Sequence, residues 1–251
     1  MRFRLASTFI VAAAAAFASQ AATAAPVINI VLVHGAFVGG SGWRPVYDIL
    51  THDGYNVTLV QEPLTSFAED VAATQRILAM QNGPTILVGH SYGGAIITEA
   101  GNDPHVAGLV YIAAHALDNG ETEAINGKKF PNAAHPFAKT PDGFLYINPV
   151  NFPSDFAADL PLKQAEFEAK AQMLTSASVF TANIPDPAWK VKPSWYMVAK
   201  ADKIINPDLE RMYAKRAHSH TVEIAGASHS VYESHPKEVA ALIEQAALGA
   251  K

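Results

Sequence analysis

The 251-residue sequence contains no cysteine. That absence excludes disulfide staples, thiolate nucleophiles and cysteine-ligated metal centres together, so stability has to come from packing and any nucleophile has to be something other than a thiol. Charge is also sparse: Lys, Arg, Asp and Glu make up 16% of the chain, the formal net charge is −5, and the basic residues are scattered. No nucleic-acid surface is expected from such a pattern. Beyond the N-terminal stretch no internal repeat or low-complexity segment interrupts the chain. What is abundant is apolar side chain, nearly half of all residues, at a length that suits one α/β domain with an insertion. Small-molecule chemistry is the class of function left standing.

The first two dozen residues differ in kind from the rest. Arg2 and Arg4 form a basic start, Leu5 to Ala18 is a short alanine-rich apolar run, and Ala22-Thr23-Ala24 is a small-x-small site before Ala25-Pro26. This reads as a secretory signal peptide over residues 1–24, cut after Ala24. The expected mature chain, 25–251, is exported to the periplasm or medium and carries no membrane span, since no stop-transfer pattern follows.

Along the mature chain, β-branched runs alternate with amphipathic stretches. Val27 to Val33, Tyr55 to Val60, Thr85 to Val88, Val106 to Ala113, Ser194 to Ala199 and Thr221 to Ile224 predict strands. Trp43 to His52, Phe67 to about Asn82, Gly94 to Ala100, Pro207 to about Ala217 and Pro236 to Leu248 predict helices, with Ser66 an N-cap. Such alternation argues for a mostly parallel sheet flanked by helices. It fails between about Ala116 and Ala188, where half of the sixteen prolines lie among Phe130, Phe137, Phe144, Tyr146, Phe152 and Phe156. One helix near Pro161 to Ser176 is legible there. The segment is too long and apolar for a linker and reads as a cap over a binding cleft.

Gly89-His90-Ser91-Tyr92-Gly93 stands between a strand and a helix, with the serine at the apex of a sharp turn. A serine hydroxyl needs a base to take its proton and a carboxylate to orient that base. His229, in a loop after the last strand, and Asp202, in the loop after Ser194 to Ala199, would meet Ser91 because parallel strands bring their carboxyl ends to one sheet edge. Asp118, after the preceding strand, is the alternative acid. Backbone N–H groups of Tyr92 and of Ala36, with Phe37 as runner-up, are the candidate oxyanion donors. His34 and His90 read as loop braces, and His218 and His220 as solvated residues at a helix end with no metal pattern around them.

These motifs together resemble the α/β-hydrolase superfamily, in the branch of plant methylesterases and hydroxynitrile lyases with their bacterial secreted relatives. The residues that carry the likeness are Val31-Leu32-Val33-His34-Gly35-Ala36, Gly89 to Gly94, Ala201-Asp202-Lys203 and Gly226-Ala227-Ser228-His229. The resemblance implies a serine triad of Ser91, His229 and Asp202, oxyanion donors Ala36 and Tyr92, and no cofactor or metal. It also implies a six-stranded sheet lacking the first two of the usual eight strands, with the cap after the sixth family strand. Hydroxynitrile lyases carry a lysine where this chain has Ser230 and a threonine where it has Gly35, so ester hydrolysis is expected over carbon–carbon lysis. A small-molecule ester with an apolar or aromatic group is the expected substrate. A lactonase or cofactor-free haloperoxidase on the same triad, or a non-catalytic ligand-binding module, are the alternatives.

Overall fold

The computed structural model describes residues 27–250, and the expected signal peptide lies outside the described residues. Buried apolar runs become strands β1 (Asn29–Val33), β2 (Asn56–Leu59), β3 (Thr85–Ser91) and β4 (Val106–Ala114). Between them run helices α1 (Arg44–His52), α2 (Phe67–Leu78) and α3 (Gly93–Ala100). Ser66 caps α2 by accepting the Glu69 N–H at 3.3 Å, an interaction of about 1 kcal/mol in typical helices. After the cap segment the alternation resumes with β8 (Ser194–Ala199), α7 (Pro207–Arg216), β9 (His220–Ile224), the short α8 (Val231–Ser234) and α9 (Pro236–Gly249). Asn206 caps α7 through its side-chain oxygen, and Pro207 occupies the first turn, where its missing N–H costs nothing.

The six main strands are ordered β2-β1-β3-β4-β8-β9, and every neighbouring pair is parallel. Such a sheet must be covered on both faces. Alternate residues of each strand therefore serve two cores. Val31, Val33 and Leu87 belong to the core that also holds Val71 of α2, Ile96 of α3 and Leu209 of α7. Ile30, Leu32 and Val88 face α1 and α9 through Leu50 and Ile243. From β1 the chain passes to β2 on one side and later to β3 on the other. That reversal opens a crevice beyond the carboxyl ends of β1 and β3, where open α/β sheets bind ligands.

Between β4 and β8 lie α4 (Glu123–Lys129), β5 (Ala138–Lys139), β6 (Phe144–Tyr146), α5 (Phe152–Asp155), α6 (Leu162–Ala171) and β7 (Thr175–Ser176). The strands form a separate antiparallel sheet in the order β5-β6-β7. The single helix expected near Pro161 to Ser176 is thus shorter and gives way to a strand. Its end has a visible cause: Gln172 turns extended, and its side chain accepts the Ile147 N–H and donates to the Ile147 carbonyl, both at 2.9 Å. Strands of two or three residues are too short for a period-two pattern to register.

Candidate active site

β3 ends on Ser91 with a φ of 54°, a left-handed conformation unusual for a residue with a side chain. The flanking glycines make the turn possible. A Cβ on Gly89 would lie 2.5 Å from the Gly93 carbonyl oxygen, and one on Gly93 would lie 2.5 Å from that of His34. The strained turn holds the serine hydroxyl at the sheet edge, the geometry of a nucleophile elbow.

His229 reaches the serine from the loop after β9. Its Nε2 lies 2.8 Å from Ser91 Oγ and its Nδ1 lies 2.5 Å from Asp202 Oδ2. Because Nδ1 faces a carboxylate, it carries the imidazole hydrogen and Nε2 is left to accept from the serine hydroxyl. Asp202 is held in turn, its Oδ1 accepting the N–H groups of Ile204 at 2.7 Å and Ile205 at 3.0 Å. The side chains of both His229 and Asp202 are fully buried. The imidazole packs edge-on against Phe156, with ring centroids 4.7 Å apart.

Several buried neighbours set the electrostatics. His90 Nε2 donates to the His229 carbonyl at 2.9 Å. Burial, then the neighbouring His229, lowers the His90 pKa well below its usual value and keeps it neutral. His34 is a second buried brace, its Nε2 also 3.1 Å from the Glu62 backbone N–H. Its two ring nitrogens face the Gly35 carbonyl, at 2.9 Å, and the Glu62 carboxylate, at 2.5 Å. Burial opposes a charge there, but the Glu62 carboxylate outweighs it and the His34 pKa is raised. Glu210, on α7, accepts the Ala199 N–H at 3.1 Å. Burial first, then the charge of Asp202, pushes its carboxyl well above the usual range, so a neutral acid stands beside the triad carboxylate.

The loop after β1 lies against the cap. Phe37 donates its N–H to Thr175 Oγ1 at 3.1 Å, and its carbonyl accepts from Met173 N–H at 3.0 Å. Among the described residues, the N–H groups of Ala36 and Tyr92 donate to no protein acceptor. They remain available to an oxyanion, while Phe37 is committed elsewhere. Gly35 must stay small, because a Cβ there would lie 2.7 Å from Ser91 Cβ. Tyr92 anchors the helix start by donating its hydroxyl to Asp70 Oδ2 at 2.7 Å.

Asp118, the alternative acid, pairs with Lys190 at the surface. His218 and His220 are exposed, and His220 stacks on Trp195. A cavity of about 480 Å³ opens on Ser91. Ala36 and Phe37 line it from below, the cap supplies Phe130, Phe137, Leu145 and Phe180, and Ile204, Ile205 and Leu209 close one side. The cap is therefore a wall of the cleft as well as a packing layer. Sequence reasoning missed His115 and Glu123 in this wall, as well as Thr175 and Glu210, and placed Phe156 in the cap without its contact to His229. Only His115 carried a signal, its position at the carboxyl end of β4.

The model of the alpha/beta hydrolase family matches residues 30–242. The chain belongs to that family. A pyrethroid hydrolase from Sphingobium wenxiniae is 27% identical to this alpha/beta hydrolase in an alignment 250 positions long, gaps included, that spans 86% of each chain. Among solved structures, a polyneuridine aldehyde esterase superposes with a TM-score of 0.72 at 17% identity, over 86% of this chain and 98% of its own. A methylesterase from Arabidopsis superposes with a TM-score of 0.74 at 19% identity, over 88% of this chain and 98% of its own. At such identity the superpositions establish the shared fold, and the Ser91–His229–Asp202 geometry marks the chain as a serine hydrolase.

Proposed function

We propose that this alpha/beta hydrolase cleaves small carboxylic esters bearing an apolar or aromatic group, through an acyl-enzyme on Ser91. The carrying observation is the hydrogen-bonded line from Ser91 Oγ through His229 to Asp202 at the mouth of an aromatic cavity. His229 Nε2 takes the serine proton as Oγ attacks the ester carbonyl, and the Ala36 and Tyr92 N–H groups receive the developing oxyanion. The imidazolium returns its proton to the departing alkoxide. Water then attacks the acyl-enzyme, giving its proton to His229, and the acid leaves as Ser91 recovers its hydrogen. Ser230, directly after the triad histidine, supplies no cation to a leaving cyanide, which favours hydrolysis over lysis. The names of the pyrethroid hydrolase and methylesterase relatives agree with an ester substrate.

The test is Ser91→Ala against a panel of short-chain p-nitrophenyl esters. Turnover should fall at least about 10⁴-fold, and a fluorophosphonate probe should label the parent protein and spare the variant. Unchanged turnover would remove the assignment. Export rests on Arg2, Arg4, the Leu5 to Ala18 run and Ala22-Thr23-Ala24. N-terminal sequencing of the exported protein should begin at Ala25, and retention of residues 1–24 inside the cell would refute it.

A further inference from the structure

Asp159, in the turn between α5 and α6, is bonded to the loop that carries the triad base. That loop leaves β9 and is tied to the sheet edge at Ala227, whose carbonyl accepts the Ala201 N–H at 2.9 Å. The next main-chain N–H turns to the cap. Asp159 Oδ2 accepts the Ser228 N–H at 3.1 Å, and Asp159 Oδ1 accepts the Ser228 hydroxyl. Past His229, the Phe156 carbonyl accepts the Ser230 N–H at 3.0 Å. His229 thus stands between two residues bonded to one short stretch of the cap, and its ring packs on the Phe156 ring.

The Asp159 side chain is 18% exposed, and His235 Nδ1, at 3.6 Å, lies farther from it than either Ser228 group. Bonds from N–H and O–H groups to a carboxylate are stronger than neutral ones. The base they hold has little room for error. His229 Nε2 lies 2.8 Å from Ser91 Oγ and Nδ1 lies 2.5 Å from Asp202 Oδ2, and misplacing a reacting group by about 1 Å costs on the order of 10²-fold in rate. The cap is also seated independently of Asp159. Ala133 and Ala134 donate their N–H groups to the Lys203 carbonyl at 3.1 and 2.9 Å, and Asn132 Nδ2 donates to the Ile204 carbonyl at 3.0 Å. Removing the Asp159 carboxylate therefore frees Ser228 without lifting this wall of the cleft.

We propose that Asp159 is a positioning residue of the triad: by holding the N–H and the hydroxyl of Ser228 it sets the height and angle at which His229 meets Ser91, so that the cap completes the base. The proposal rests on the serine chemistry proposed above and adds a residue, beyond the triad and the oxyanion donors, on which its rate depends. Asparagine can fill the same role. Its oxygen takes the Ser228 N–H while its NH₂ donates to Ser228 Oγ, whose own hydrogen turns to the Phe156 carbonyl 3.1 Å away. Alanine can do neither.

The experiment follows fluorophosphonate labelling of the protein against probe concentration, with thermal melting as the control for folding. Asp159→Ala should lower the saturating labelling rate about ten- to a hundredfold and leave the half-saturating concentration unchanged, with kcat on a p-nitrophenyl ester falling in step. Asp159→Asn should recover most of that rate. Ser228→Ala, which loses the hydroxyl bond and keeps the N–H bond, should fall between the parent and Asp159→Ala. A folded Asp159→Ala that labels at the parent rate overturns the proposal, as does a raised half-saturating concentration, which would show the cap displaced, or an Asp159→Asn no faster than the alanine variant. Should Asp159→Ala fail to fold, a folded Ser228→Ala that labels at the parent rate overturns it instead. A parent that is labelled but cleaves no ester would overturn the ester reading alone, because labelling reads Ser91 and His229 without an ester.

Discussion

Replacing Asp202 by asparagine keeps the shape of the side chain and changes what one of its two outer atoms can do. Asp202 Oδ1 accepts two backbone N–H groups, from Ile204 and Ile205, at 2.7 and 3.0 Å. An amide NH₂ in that place would oppose two donors, so the asparagine oxygen has to take it and the NH₂ has to face His229 Nδ1. The contact there, 2.5 Å in the parent, then joins a donor to Nδ1 and forces the imidazole hydrogen onto Nε2. That nitrogen is 2.8 Å from Ser91 Oγ and can no longer accept its proton. The wrong tautomer in a triad lowers kcat by about 10⁴-fold, or roughly 5 kcal/mol of barrier. The assay is kcat on a p-nitrophenyl ester together with the rate of fluorophosphonate labelling, with thermal melting as the control for folding. Both rates should collapse while the melting curve stays cooperative. A loss below tenfold in a folded variant would refute the tautomer argument, and Asp118→Asn, which breaks only a surface pair with Lys190, should leave both rates within about twofold of the parent.

Other substitutions test other parts of the site. Gly35→Ala would drive a Cβ to 2.7 Å from Ser91 Cβ, and the displaced nucleophile should lose on the order of 10²-fold in kcat; an unchanged kcat would show that the loop yields freely. Glu210→Gln should keep activity within a few-fold because the native side chain is already neutral, whereas Glu210→Ala strips the Ala199 N–H of its acceptor and should cost about 1–3 kcal/mol in urea unfolding; equal stability of the two would contradict this. Glu123 has a pKa of about 8 in the fold against 4.5 as its ordinary value, so the folded state holds a proton that the unfolded chain has released. Its stability should therefore be full below pH 4.5 and fall between pH 4.5 and 8, by on the order of 5 kcal/mol across that window. Glu123→Gln should gain on the parent as pH rises from 5 to 8, and a constant difference between the two would refute the shifted pKa.

The strands and most flanking helices were legible because their signals are local. A buried parallel strand such as Thr85 to Val88 reads as a run of apolar residues, Ser66 and Asn206 announce helix starts, and a serine between two close-packed glycines announces the elbow. Since parallel strands share one carboxyl edge, the loops that bring Ser91, Asp202 and His229 together could be named without knowing their distances. The cap escaped that logic. Its strands are only two or three residues long, β6 pairs Leu145 with the distant Thr175 of β7, and α6 stops where the Gln172 side chain pairs with Ile147, a partner 25 residues away. Only tertiary structure decided that Thr175 occupies the Phe37 N–H, that Asp118 pairs with Lys190, and that Glu210 stands neutral beside Asp202. The sequence by itself determined the nucleophile's setting and the layout of the sheet, because strand pattern, turn sterics and topology act over a few residues or through a general rule. The pocket's polarity was decided by packing. Glu123 reads along the chain as an ordinary acid in a helix's first turn, and it becomes a neutral hydrogen-bonding group only where the cap folds it against His115 and removes it from water.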